Sequence, residues 1–306
     1  ASSARGQAAE VAAALARGYV GVNKQLRVIA AVLLSANLAE SVGADAAIVH
    51  AHAFLGGISG LLKMPRVAAA YFARAQRAAE RVGTLDAALT HAQLEAFYHM
   101  SRADWPRTTA VLTPVLERAL QASALHVAEP PLLMLNYVHM LQGERVRAGE
   151  HVATLLRVAK KTGNERTFLI ASLAEALLDM YRGAFAPALA RIEALEERVV
   201  AFDELIHVAN FHATRAGLLS WLERHDEALS FADRSVAVLK ETGTRNALLY
   251  NVHAFTPETY LRAWAAATAA GKDPGDLATR ARRAVKASAQ FSGVCVYAKP
   301  FARRFA

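Results

Sequence analysis

Eleven histidines, one cysteine and scattered carboxylates are the side chains of this 306-residue chain able to hold a metal or move a proton. Their spacing argues against both. His50 and His52 are two apart, so on a helix they point about 200° from each other and cannot share an ion. There is no His-Glu-x-x-His string. His91 shares a helix face with Glu95, and Glu95 with His99, but a pair of ligands falls short of a structural site. Cys295 has no neighbouring His or Asp to activate it. Glu196 and Glu197 adjoin on an expected solvent face and read as solvated rather than as an acid–base pair. The string Ala266-Ala267-Thr268-Ala269-Ala270-Gly271-Lys272-Asp273 comes nearest to a phosphate-binding loop, but it lacks the first glycine and the hydroxyl. No catalytic residue, metal site or cofactor is expected.

The elements that carry these residues follow a forty-residue period. Predicted helix ends fall at Gly43, Gly83, Ser123, Gly163, Asp203 and Gly243, where glycine or a small polar residue suits the left-handed position past a helix end. Small residues recur at Gly56, Ala96, Asn136, Ala176 and Ala216, and again twelve further on at Ala68, Thr108, Ala148, Ala188 and Ala228. Small columns on both helices of a hairpin let the backbones approach closely, and a fixed period of this length marks a solenoid. The expectation is an all-α fold, a right-handed α-solenoid of tetratricopeptide-like helical hairpins, forming one domain over 1–306. Its helix pairs are 7–43, 44–83, 84–123, 124–163, 164–203, 204–243 and a longer, irregular 244–293, followed by a partial helix over 294–306. In each pair we call the first helix A and the second B.

Particular residues refine this reading. Pro65 and Asp104-Trp105-Pro106 suit B-helix starts, and Asp226 is expected to cap another. Pro130 and Pro131 predict an A helix that begins only near Pro130, and Pro257 a kinked one. The stretch 163–200 reads as the most regular copy. Gly293 is expected to close the sixth repeat, and an exposed apolar face is expected at the C-terminal edge.

Two columns on the A helices are candidates for recognition. Met100, Met140 and Met180 stand forty apart, and three residues before them stand Phe97, Tyr137 and Leu177. Pointing inward they make a soft apolar strip for a peptide helix or small ligand; pointing between layers they are core. Gly57 and Gly217 occupy the aromatic column elsewhere, so any strip is central. His99, His139 and Asp179 form an adjoining polar column, and His253 of the sixth repeat joins the candidate set.

Composition narrows the class. The chain is 54% hydrophobic, ample for a core. Its longest apolar run, 28–39, is too short for a bilayer, and a lone cysteine fits a reducing compartment, the cytoplasm. Nothing resembles a signal peptide, and the missing initial Met predicts a piece of a longer chain. From Thr244 to Ala306 there are ten Lys/Arg against three Asp/Glu, which is +7 of the net +8. No nucleic-acid motif accompanies this charge, so a solvated face is expected and nucleic acid is not an expected partner.

Four strings, Ala69-Ala70-Tyr71-Phe72-Ala73-Arg74-Ala75, Ala103-Asp104-Trp105, Gly163-Asn164-Glu165 and Tyr297-Ala298-Lys299-Pro300-Phe301-Ala302, carry a resemblance. The chain resembles the tetratricopeptide-like region of large bacterial signalling ATPases of the AAA or STAND type. The long period is also similar to that of the superhelical sensor domain of the bacterial maltose-regulon activator. The resemblance implies a non-catalytic sensor or interaction module in a bacterial signalling or transcription-regulating protein. It would bind a protein, a peptide or a small-molecule effector and be attached to an ATPase, kinase, cyclase or LuxR-type domain. An alternative is a scaffold that packs on the attached domain and holds it inactive.

Overall fold

A computed structural model describes residues 2–21, 25–202, 204–242 and 249–305. Every element of regular structure in it is helical: α1 (Ser2–Gly21), α2 (Gln25–Val42), α3 (Asp45–Leu61), α4 (Pro65–Val82), α5 (Leu85–Ser101), α6 (Trp105–Gln121), α7 (Leu125–Gln142), α8 (Arg145–Thr162), α9 (Glu165–Tyr181), α10 (Phe185–Glu193), α11 (Glu196–Phe202), α12 (Leu205–Trp221), α13 (His225–Thr242), α14 (Tyr250–Ala269), α15 (Leu277–Ser292), a short 3-10 turn (Val296–Ala298) and α16 (Lys299–Phe305).

The register is written into the backbone. Left-handed residues close B helices at Gly43, Gly83, Ser123 and Gly163. A second left-handed set, Lys63, Ala103, Gly143, Gly183 and Glu223, forms the turn inside each hairpin, again forty apart. Asp203 and Gly243 lie outside the described residues. Both small columns are buried, with Ala96, Asn136, Ala176 and Ala216 on one side and Ala68, Thr108, Ala148, Ala188 and Ala228 on the other, all at 0% exposure. At Gly56 the approach is closest: a Cβ there would sit 2.8 Å from the Phe72 ring of the facing helix.

Contacts cluster into two compact units, 1–138 and 139–306. Within the first, α1 packs on α2, α3 on α4 and α5 on α6, while α1 meets α3, α3 meets α5, and α4 meets α5. Within the second, α8 packs on α9, α9 on α10 and α12, α12 on α13 and α14, and α14 on α15. The A helices α3, α5, α9, α12 and α14 each have their own B helix on one side and a neighbouring A helix on another, which explains why α9 and α12 are buried on nearly all faces.

Three buried serines tie helix pairs together. Ser35 Oγ donates to the Ala9 carbonyl (2.9 Å) and Ser235 Oγ to the Ala209 carbonyl (3.1 Å), two hundred residues and five periods apart. Ser288 Oγ donates to the carbonyl of His253 (2.7 Å). That carbonyl is the one Pro257 cannot bond within α14, because proline lacks the N–H four residues on.

Several local expectations are corrected. The helix expected to begin near Pro130 runs from Leu125, with both prolines inside it. Val127 and Ala128 are buried together with Leu132 and Leu135. Burial of such side chains contributes about 1.5–3 kcal/mol each for the larger ones, enough to offset the lost hydrogen bonds. The stretch 163–200 is not the most regular copy: its B helix breaks at Ala194-Leu195 into α10 and α11. Asp226 lies inside the first turn of α13 rather than before it, because the helix that follows the turn at Glu223 starts at His225, two residues before a cap at Asp226 would start it. Its charge still complements the helix N-terminus. Gly293 does close α15, as expected, but in a right-handed conformation (φ −70°), since the chain runs directly on with Cys295 N–H bonded to the Phe291 carbonyl (2.8 Å). Among the described residues α15, the 3-10 turn and α16 expose no large apolar side chain, and Trp264 on α14 is the one exposed in the last hairpin. Tyr297 and Phe301 turn inward onto Tyr250, at ring distances of 5.6 and 5.3 Å.

Candidate functional site

The A-helix columns are placed by the same packing that builds the fold. Phe97, Met100 and Tyr137 belong to the first unit, and Met140, Leu177, Met180 and His253 to the second. Met100, Leu177, Met180 and His253 are buried; Phe97, Tyr137 and Met140 are half-buried. Met140 packs against Ala148, Val152, Ala174 and Leu178, and His253 stacks on Phe291 at 4.2 Å.

Glycines in these columns show where the columns point. Gly60 holds the methionine position in repeat 1, and a Cβ there would overlap the Tyr98 ring on α5. Gly217 holds the aromatic position in repeat 5, and a Cβ there would lie 3.1 Å from Phe255 on α14. In both cases the next A helix supplies an aromatic ring to fill the space. Gly57 has nothing within 4 Å of its would-be Cβ, so the aromatic column opens outward at that end.

The polar column is occupied by contacts inside each hairpin. His99 Nδ1 lies 3.7 Å from Asp104, the residue that caps α6. Five residues apart in the same way, His139 Nδ1 lies 2.9 Å from Glu144 Oε2. The His139 ring also stacks on His151 at 5.2 Å. Asp179 accepts instead from Arg182 (3.3 Å) and Arg191 (3.4 Å). Glu95 sits between His91 (3.0 Å) and His99 (3.6 Å). Burial alone would raise its carboxyl, but hydrogen bonds from the two imidazoles hold it down at about 2. No group of three or more metal-ligating side chains comes together among the described residues.

Two arrangements were not read from the sequence. Arg215, nearly buried on α12, bridges the break between α10 and α11 by reaching Glu193 (3.2 Å) and Glu196 (2.5 Å), with its guanidinium over Phe231. Phe185 stacks flat on Trp221 at 5.4 Å, and Arg262 lies over the same indole at 3.5 Å. Both join side chains sixteen or more residues apart on different helices, which only the stacking of successive helices brings together.

A recess of about 20 Å³ lies between α9, α11 and α12, lined by Leu169, Ile170, Leu173, Val199 and Phe211 with Arg166 and His207. It has room for about one water. Arg166 donates to Glu204 (3.2 Å), and His207 lies 3.0 Å from the same carboxylate. Burial and then the Arg166 charge lower the His207 imidazole to about 4.

The fold is one already seen in a signalling protein. The chain is similar to the crystal structure of a Signal Transduction ATPase with Numerous Domains (STAND) protein with a tetratricopeptide repeat sensor from Pyrococcus horikoshii. The TM-score is 0.59 at 12% identity, over 94% of this chain. The chain spans 44% of that protein's length. No protein-family model matches the sequence, and no curated protein matches it. The shared property is the all-α tetratricopeptide-type repeat fold. No described helix is long and apolar enough to cross a membrane.

Proposed function

We propose that this region is a non-catalytic recognition or sensor module. Its A helices present large apolar side chains to a protein or peptide, and binding is relayed to an attached signalling domain. The observation that carries this reading is the half-buried state of Phe97 and Tyr137 in the first unit and Met140 in the second, in columns whose other large members are buried. Met100, Leu177, Met180 and His253 act beneath such a surface, holding the A helices that carry it. Aromatic and methionine side chains of this kind are favoured anchors for helical or extended peptides. The likeness to a STAND protein with a repeat sensor supports the sensor role.

Site-specific photo-crosslinking tests this in the full-length protein. A benzophenone side chain at Tyr137 should capture a defined partner, whereas one at exposed Arg118 on α6 should not. Equal capture at both positions, or none at Tyr137, contradicts the proposal.

A further inference from the structure

The last thirty residues, 277–306, contain seven Lys/Arg and no Asp or Glu. Two of the seven are neutralised from outside the segment: Arg280 by Asp233 (2.8 Å) on α13, and Arg304 by Glu258 (3.5 Å) on α14. Asp276, one residue before α15, also pairs with Arg280. The other five, Arg282, Arg283 and Lys286 on α15 and Lys299 and Arg303 on α16, are exposed and have no ion pair among the described residues. Burial of Ala281, Ser288 and Phe291 on the opposite face of α15 fixes which side looks outward, and α16 packs on α15. The cations therefore stand on two contacting helices held by the core.

Several arginines elsewhere in this fold meet a carboxylate on a neighbouring element. Arg166 reaches Glu204 across helices, Arg215 reaches Glu193 and Glu196, and Arg280, on α15 itself, reaches Asp233. In each case the ligand is a carboxylate on an adjoining element. From this charge complementarity we propose that the α15–α16 face docks an acidic, Asp/Glu-rich segment of a partner protein. This site is separate from the A-helix columns and extends the recognition reading to a second surface. Exposed charges of this kind contribute mainly association rate and a strong dependence on salt.

The test titrates the 306-residue protein against a fluorescein-labelled oligo-glutamate peptide by anisotropy. Binding should weaken at least about tenfold between about 50 and 300 mM salt. The triple charge reversal Arg282→Glu, Arg283→Glu, Lys286→Glu should weaken it by a similar factor. The matched reversal Arg66→Glu, Arg74→Glu, Arg77→Glu on α4 should leave it within about twofold. Should the α15 reversal lower the melting temperature, the neutral triple to Gln serves instead, with a smaller loss expected. Equal losses from the α15 and α4 sets overturn the proposal, and so does a DNA duplex that binds the α15–α16 face when the peptide does not. A double Phe97→Ala, Tyr137→Ala variant should still bind the peptide, which separates this surface from the A-helix site.

Discussion

Hairpin α3–α4 and the hairpin formed by α9 with α10 and α11 are built on one register, yet they solve the same contact differently. Each closes its ends with an acid at the start of its A helix and an arginine late in its B helix, Asp45 with Arg81 and Glu165 with Arg198. At the closest approach the first uses Gly56 against Phe72. The corresponding residues in the second are Ala176 and Ile192, both at 0% exposure. Between them in sequence the pair reads Ala96 and Leu112, then Asn136 and Val152. Along the first three of these copies the first residue grows from Gly to Ala to Asn while the second shrinks from Phe to Leu to Val. The second hairpin then departs: its B helix breaks after Glu193, where Arg215 binds carboxylates on both sides of the break. The first hairpin keeps a continuous B helix, whereas the second is interrupted where a charge from the next repeat binds both sides.

The comparison can be broken most severely by removing its large partner. Phe72→Ala should destabilise the protein by about 3–5 kcal/mol, read from chemical denaturation. Overpacking the other hairpin with Ala176→Leu should cost about 1–3 kcal/mol; an unchanged unfolding curve would mean the small column does not govern the approach.

Acid sharpens the difference between packed apolar columns and buried polar groups. His50, His207 and His212 are each lowered to about 4, chiefly by burial and then by Arg17, Arg166 and Arg234 respectively. Their folded values lie below the ordinary 6.5, so the unfolded chain takes up protons first as pH falls. The stability these groups contribute is complete above about pH 6.5 and is lost between there and about pH 4, at up to about 1.4 kcal/mol per pH unit for each histidine. Urea midpoints that stay level across that window would contradict the burial of these rings.

The smallest expected effect is a gain. Asn136 is fully buried, and neither of its amide atoms has a hydrogen-bond partner, where the equivalent positions hold Ala96, Ala176 and Ala216. Asn136→Ala should stabilise by about 1 kcal/mol by removing an unsatisfied amide. A loss instead would show that the amide has a role in the folded state.

Much of the fold was legible because it repeats. Turn residues and small columns recur at one interval, so each weak signal was read several times over. Single events were not repeated and were misread: the prolines of α7, overridden by burial of Val127 and Ala128, and the break in 163–200, where Arg215 lies in the following repeat. The candidate site was legible as columns, but whether each member is buried depends on the neighbouring layer. Tyr98 filling the space over Gly60 cannot be inferred from either residue alone.

A double-mutant cycle at Gly56 and Phe72 tests the shared register most directly. Gly56→Ala adds a methyl against the Phe72 ring, which offsets the helix propensity gained of about 0.5–1 kcal/mol. Combined with Phe72→Leu it recreates the Ala96 and Leu112 pairing of the next hairpin. The account predicts that the double variant is more stable than the two single changes imply, by a coupling of about 1–3 kcal/mol. Strict additivity of the two changes would contradict it.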